Sequence, residues 1–169
     1  YHALKAGAAT RPELAARTGL SVPTVITAVD TLIDSGLASL EGTTQSTGGR
    51  PPARVRLVPD RFTVAALDLG GPVITSGRYD LAGQRLSYRE HGPLPVQRYP
   101  NPLLTTDELL GWLREQGPAD LCVVSALGVV NPRTRTITQQ VLDLRDDPLE
   151  AELSAALGWP VIVENEVNL

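Results

Sequence analysis

Thr10-Arg11-Pro12-Glu13-Leu14-Ala15-Ala16-Arg17-Thr18-Gly19-Leu20-Ser21-Val22-Pro23-Thr24-Val25-Ile26-Thr27-Ala28-Val29-Asp30-Thr31-Leu32-Ile33-Asp34-Ser35-Gly36 is the stretch that decides how the front of this chain folds. Thr10 followed three residues later by Glu13 has the spacing of a capping box, and Pro12 falls in the first turn, where its missing N–H costs little. The short helix this opens ends at Gly19, which supplies the positive φ that a helix end often needs. Ser21 caps a second helix. Val25, Val29, Leu32 and Ile33 recur at i, i+4, i+7 and i+8, one apolar face of an α-helix. With the turn glycine, the inward residues Leu14, Ala15, Leu20, Val25 and Val29 would let the two helices cross steeply. A short helix, a tight turn and a longer helix spell helix-turn-helix.

Outward from this core, Tyr1 to Ala6 reads as the tail of a preceding helix closed by Gly7. Downstream, Leu37 to Glu41 reads as a strand, Gly42 to Pro52 as a polar loop and Arg54 to Val58 as the returning strand. That hairpin makes a wing. Its loop carries Gly48-Gly49-Arg50-Pro51, an extended arm whose arginine suits the negative potential of a narrow minor groove. On the second helix the outward residues Ser21, Thr24 and Thr27 are candidate base readers, because a recognition helix presents its first turns to the groove. Arg11 and Arg17 are candidate phosphate contacts, with solvated surface arginines as the alternative. A helix-turn-helix can also be a structural or protein-binding module, and its apolar stripe is core that says nothing about DNA.

The charge is unevenly placed along the 169 residues. Residues 1–61 carry a balance of +2 and residues 62–169 a balance of −6, within a total of −4. A mildly basic front and an acidic back point to two domains, with any polyanion meeting the front one. The single cysteine, Cys122, lies in an apolar run, so an intramolecular disulfide is impossible and a buried core thiol is the plain expectation. No run of about 20 apolar residues offers a membrane span, and the expected location is the cytoplasm. The chain lacks methionine, starts inside a helix tail and stops abruptly at Leu169, which together suggest a fragment of a longer protein.

The second half opens with an apolar strand, residues 63–67, running into Asp68-Leu69-Gly70-Gly71-Pro72. Strands are expected over 73–80 and 84–88, a loop over 91–102, a helix over 107–116 capped by Thr106, and a buried strand over 121–127 parallel to the first. A helix over 148–157 stopped by Gly158 and a strand over 161–163 complete the pattern. The chain then reads Glu164-Asn165-Glu166-Val167-Asn168.

Taken together, Pro12-Glu13-Leu14-Ala15, Thr18-Gly19-Leu20-Ser21, Thr24-Val25, Ser35-Gly36-Leu37 and Gly48-Gly49-Arg50-Pro51 resemble the N-terminal domain of regulators in the ROK family (repressor, open reading frame, kinase). The resemblance runs to the end of the chain. It implies an α/β protein: a winged helix-turn-helix over 1–61, then the first, incomplete part of an actin-like (ribonuclease H-like) sugar-kinase domain over 62–169.

In that fold Asp68, Gly70 and Gly71 resemble the first phosphate loop, with the alternative of a simple glycine turn; Pro72 stands where the kinases have threonine. Gly128-Val129-Val130-Asn131-Pro132 resembles a turn that helps surround the sugar, with Leu127 in place of the usual proline. Asn165-Glu166 stands where the family has Asn-Asp, the asparagine bonding sugar hydroxyls and the aspartate acting as the base. Glutamate displaces that carboxylate by roughly 1 Å, enough to impair catalysis.

The resemblance therefore implies a sugar-responsive, DNA-binding transcription regulator, a repressor rather than an enzyme. Asn131, Asn165 and Glu166 would hold a sugar or sugar phosphate, double-stranded DNA would be the partner, and the assembly would be a homodimer or larger. The rival reading is an ATP-dependent sugar kinase with a fused DNA-binding domain; a third is a DNA-binding protein whose back domain only dimerises. No cofactor or metal is expected here: His2, His91 and Cys122 have no ligand-like spacing, and the family's structural zinc would lie beyond Leu169.

Overall fold

The computed structural model describes residues 1–41, 53–70, 73–93, 105–139 and 144–167. The chain divides into two compact units, one of Tyr1–Phe62 with Leu81–Gly83 and one of Thr63–Asp80 with Gln84–Leu169.

In the first unit, α1 (His2–Lys5) leads into a two-residue strand β1 (Ala9–Thr10), then α2 (Arg11–Thr18) and α3 (Val22–Asp34). The capping box forms in full: the Thr10 hydroxyl accepts from the Glu13 N–H, and the Glu13 carboxylate accepts from the Thr10 N–H at 2.7 Å. Gly19 closes α2 at φ 71, and Ser21 caps α3 by accepting from the Thr24 N–H. Strands β2 (Ala38–Glu41) and β3 (Arg54–Leu57) pair antiparallel, and β1 joins the outer side of β3 to give the order β1-β3-β2. The helix, turn, helix, strand and returning strand expected between residues 10 and 58 are all present.

The core of this unit is Leu4, Ala9, Leu14, Val25, Val29, Ala38, Val55 and Leu57. Leu20 is a correction. It lines a pocket of about 80 Å³ with Leu14, Val25 and Val29 but stays 49% exposed, since it stands in the turn at the mouth of that pocket and not within the packed core. Strand β1 has no hydrophobic alternation to announce it; it exists because β3 offers an open edge.

In the second unit, β4 (Thr63–Leu69), β5 (Val73–Asp80) and β6 (Arg85–Pro93) form an antiparallel meander. After α4 (Thr106–Glu115), β7 (Leu121–Ala126) lies parallel to β4. A small three-stranded sheet follows, of β8 (Val129–Val130), β9 (Ile137–Gln139) and β10 (Leu144–Asp147). Helix α5 (Leu149–Leu157) then returns the chain to β11 (Val161–Asn165), parallel to β7. The main sheet has the order β11-β7-β4-β5-β6. One face of its three parallel strands buries Ala65, Leu67, Cys122, Val124, Val161 and Val163 in a core shared with Leu109, Leu113, Leu149 and Leu153 of α4 and α5.

Three expectations are corrected here. The cap of α4 is Thr105, which forms a second complete capping box with Glu108. His91 sits in β6 rather than in a loop: its ring bonds the Ser76 hydroxyl at 2.7 Å and stacks on Trp112, so β5 and α4 hold it in the sheet. The strands of the small sheet, too short for alternation to register, were not expected at all. No helix among the described residues is long and apolar enough to cross a membrane.

Candidate functional site

Two groups of the sequence-derived residues have a definite geometry. The first is the exposed side of α3. Ser21, Thr24 and Thr27 all face solvent, while Val25 and Val29 on the opposite side are buried. Their hydroxyls are engaged locally: Ser21 and Thr24 bond each other at 2.8 Å, and Thr27 donates to the Pro23 carbonyl at 3.3 Å. Val22 and Ile26, four residues apart at the start of this helix, are also exposed although they flank the stripe of Val25 and Val29.

The two phosphate candidates are less free than their sequence position suggests. Arg11 pairs with Asp30 at 2.8 Å, and Arg17 donates to the Ala3 carbonyl at 3.2 Å. Arg54 and Arg56, on the returning strand, face Glu13 and Glu41 at 3.9 and 3.8 Å. Such exposed pairs hold weakly and can exchange partners with a polyanion at little cost. Gly49 and Arg50 lie outside the described residues.

The second group gathers at the carboxyl ends of the parallel strands. Leu69, Ala126 and Asn165 are in register across β4, β7 and β11, so the segments after them open at one edge of the sheet. Open α/β sheets bind ligands outside that edge. There the Asp68 carboxylate accepts the Gly70 N–H at 2.9 Å. The Glu166 carboxylate rests against Gly70: a Cβ built on Gly70 would stand 3.1 Å from Glu166 Cδ and 3.2 Å from Asp68 Oδ1. A side chain at this position would have to displace the end of the Glu166 side chain. Gly71 lies outside the described residues.

Asn165 ties this edge to the small sheet. Its amide donates to the Gly128 carbonyl and its carbonyl accepts the Val167 N–H at 2.8 Å. Gly128 is as tightly held, since a Cβ there would stand 2.7 Å from the Thr138 carbonyl oxygen and 3.1 Å from Gln139 Cβ. The Asn131 side-chain carbonyl accepts the Arg133 and Thr134 N–H groups at 3.0 and 3.4 Å, shaping the turn between β8 and β9. Asp68, Gly70 and Glu166 are thus brought together, Asn165 joins them through the backbone, and no described bond links Asn131 to them.

Sequence reasoning also missed Gln139, which is 2% exposed with both amide atoms unpartnered, and Arg135, which anchors the neighbouring edge strand. A lone glutamine and a lone arginine carry no spacing signal. No cluster of three His, Cys, Asp or Glu side chains among the described residues could hold a metal ion.

No model of a protein family matches the chain. Over 173 aligned residues it is 26% identical to the xylose repressor of Bacillus spizizenii, a match that takes in 98% of this chain and 44% of that protein. The chain thus spans a little under half the length of the curated relative it matches. Among solved structures, a ROK family transcriptional regulator, a homolog of the E. coli MLC protein, superposes over 93% of this chain and 41% of its own with a TM-score of 0.61 at 18% identity. A glucokinase from Parabacteroides distasonis superposes over 62% of this chain and 30% of its own, with a TM-score of 0.50 at 16% identity. At these identities the two structures speak to fold alone, and the α/β content of the second unit fits theirs.

Proposed function

We propose that this chain, which matches ROK-family regulators in both sequence and fold, is the DNA-binding and effector-sensing part of a sugar-responsive transcription regulator, a repressor. The observation that carries the reading is the match to a xylose repressor along nearly the whole chain, front unit included. A kinase needs no helix-turn-helix in front of its catalytic domain.

On this reading residues 1–61 form a winged helix-turn-helix and residues 62–169 the first part of an actin-like sensing domain. Ser21, Thr24 and Thr27 face the major groove, and Gly49 and Arg50 reach into the minor groove. Arg11 and Arg17 turn from Asp30 and the Ala3 carbonyl toward phosphates. The effector, a sugar or sugar phosphate with xylose the first to try, binds at the strand-end edge lined by Asp68, Asn165 and Glu166, with Asn131 shaping the adjoining turn. Two copies bound to two half-sites would couple sugar binding to operator affinity through the spacing of their winged units.

The alternative, ATP-dependent phosphorylation of a sugar through Asp68, Gly70, Gly71 and Glu166, is less well supported. Pro72 stands where the kinases have threonine, and Glu166 where they have the aspartate base. It would show as ATP-dependent phosphate transfer abolished in Glu166→Gln.

The first test is fluorescence anisotropy of the whole regulator with DNA from upstream of its gene, across a salt series, with and without xylose. Tight, sequence-dependent, salt-sensitive binding that weakens in Arg50→Ala and shifts with the sugar is the expected result. Binding no tighter than to random duplex would overturn the reading.

A further inference from the structure

We propose that the first two turns of α3 read thymine 5-methyl groups in the major groove by apolar contact, making Val22, Thr24, Ile26 and Thr27 the specificity-determining surface of this chain. The inference rests on the DNA-binding reading above and adds to it the class of sequence that is read.

The side-chain inventory argues first. From Ser21 to Val29 there is no Asn, Gln, Arg, Lys, His, Asp or Glu. The bidentate pairings that identify guanine and adenine need Arg, Lys, Asn or Gln, and an acceptor for cytosine needs a carboxylate. None can come from these turns. What remains is hydroxyl and hydrocarbon.

The hydroxyls are largely spent within the helix. Thr27 donates its proton to the Pro23 carbonyl. Between Ser21 and Thr24 one hydroxyl donates to the other at 2.8 Å, and Ser21 also accepts the Thr24 N–H. Two of the three hydroxyl protons are therefore committed before any base arrives. Fixing Ser21 and Thr24 as the cap, and Thr27 back onto Pro23, leaves the threonine methyl groups as much a part of the outer surface as the oxygens.

The hydrocarbon, by contrast, is only partly covered in its own unit. Val25 and Val29 fill the core face, while Val22 and Ile26 remain 44% and 40% exposed one turn apart. A β-branched pair at i, i+4 on the opening turns of a helix is a stiff apolar ridge, held in place by restricted χ1 rotation. Among the base edges in the major groove only thymine offers a carbon group, its C5 methyl, for such a ridge to cover. Covering it removes apolar area from water on both sides.

The test uses the full chain and a random-sequence duplex library. Duplexes enriched by the protein are resynthesised with deoxyuridine replacing thymidine one position at a time, and affinities are measured by anisotropy. Deoxyuridine deletes only the major-groove methyl and keeps every minor-groove acceptor, so the measurement reports the helix and not the arm at Arg50. The expected result is enrichment of A·T pairs at two or more positions per half-site. Deoxyuridine at those positions should weaken binding roughly three- to fivefold each, the scale of one buried methyl group.

In Ile26→Ala the penalty at one of these positions should disappear, with the salt dependence and the thermal melt unchanged because Ile26 is a surface residue. Enriched sites indifferent to deoxyuridine at every position would overturn the methyl reading and leave DNA binding intact. So would a deoxyuridine penalty that persists unchanged in both Ile26→Ala and Val22→Ala. Failure to enrich any sequence would remove the DNA-binding reading itself and this inference with it.

Discussion

Arg135 and Glu150 form a two-pronged ion pair that takes the place of a neighbouring strand at the edge of the main sheet. Arg135 Nη2 lies 2.6 Å from Glu150 Oε2 and its Nε 3.1 Å from Oε1. The same two side chains bracket one residue of β11: Glu150 accepts the Val163 N–H and Arg135 donates to the Val163 carbonyl, both at 2.9 Å. The backbone groups of Val163 that would otherwise offer an open edge are thereby closed. Arg135 makes this reach from a left-handed conformation, φ 56, which a non-glycine residue adopts at a cost.

Breaking this clamp should destabilise the second unit. Burial alone would raise the Glu150 pKa, but the Arg135 hydrogen bonds, the Val163 N–H and the Arg135 charge outweigh it and hold the carboxylate below its ordinary value of 4.5. A carboxylate lowered by folding contributes stability that is complete above pH 4.5 and is lost as pH falls through its folded value. Arg135→Ala should cost about 1–2 kcal/mol near neutral pH, allowing for the solvent that still reaches the pair. Glu150→Gln should flatten the acid limb of stability measured by urea unfolding between pH 3 and 6. Unchanged acid limbs in both variants would contradict the clamp.

His91 provides a second, separate pH window. Burial lowers its pKa below the ordinary 6.5, against the charge of Glu115, which raises it, and with that of Arg89, which lowers it again. Ser76, already accepting from Gln116 Nε2 at 2.8 Å, has its own proton to give to His91 Nε2, so the neutral ring fits the network. The unfolded chain therefore binds the proton more readily, and stability should fall as pH drops below 6.5. Replacing His91 with Gln should remove that slope between pH 5 and 7, read by chemical denaturation followed through tryptophan fluorescence.

Gly128→Ala should be far more damaging than Gly70→Ala, although both glycines stand at the same sheet edge. The new methyl at 128 would meet backbone, the Thr138 carbonyl oxygen at 2.7 Å, which cannot give way without moving β9. At 70 it would meet the end of the Glu166 side chain, which can swing aside. Overpacking against backbone costs about 1–3 kcal/mol, so thermal melts should separate the two variants clearly. Gly70→Ala should instead show its effect in sugar response, by displacing the Glu166 carboxylate.

Cys122 should be inert to thiol reagents in the folded protein. It is fully buried in β7, and burial pushes its thiol pKa up to about 12, so the reactive thiolate is absent at neutral pH. Labelling by a disulfide reagent should stay near zero in buffer and rise to one equivalent per chain in denaturant. Rapid labelling of the native protein would mean that the sheet opens between β4 and β11.

Much of this architecture was legible before any coordinates. Capping residues and helix-ending glycines act within a few residues of themselves, so Thr10 with Glu13, Ser21, Gly19 and Gly158 could be read one turn at a time. The apolar stripe Val25, Val29 and the buried run from Leu121 to Ala126 announce themselves by period alone, since a helix or strand repeats its inward face at a set interval. The resemblance to ROK regulators was carried by the same local signals.

What tertiary structure alone decided involves residues far apart in the chain. Leu20 reads as core but stays half exposed beside a pocket that Val25 and Val29 also line. His91 reads as loop but becomes strand, because Ser76 and Trp112 give its ring a bonding and stacking partner. Arg135 and Glu150, unremarked in sequence, close the sheet edge at Val163. Short-range chemistry is written in adjacent letters; the competition for buried space and for hydrogen-bond partners is settled only when distant segments meet.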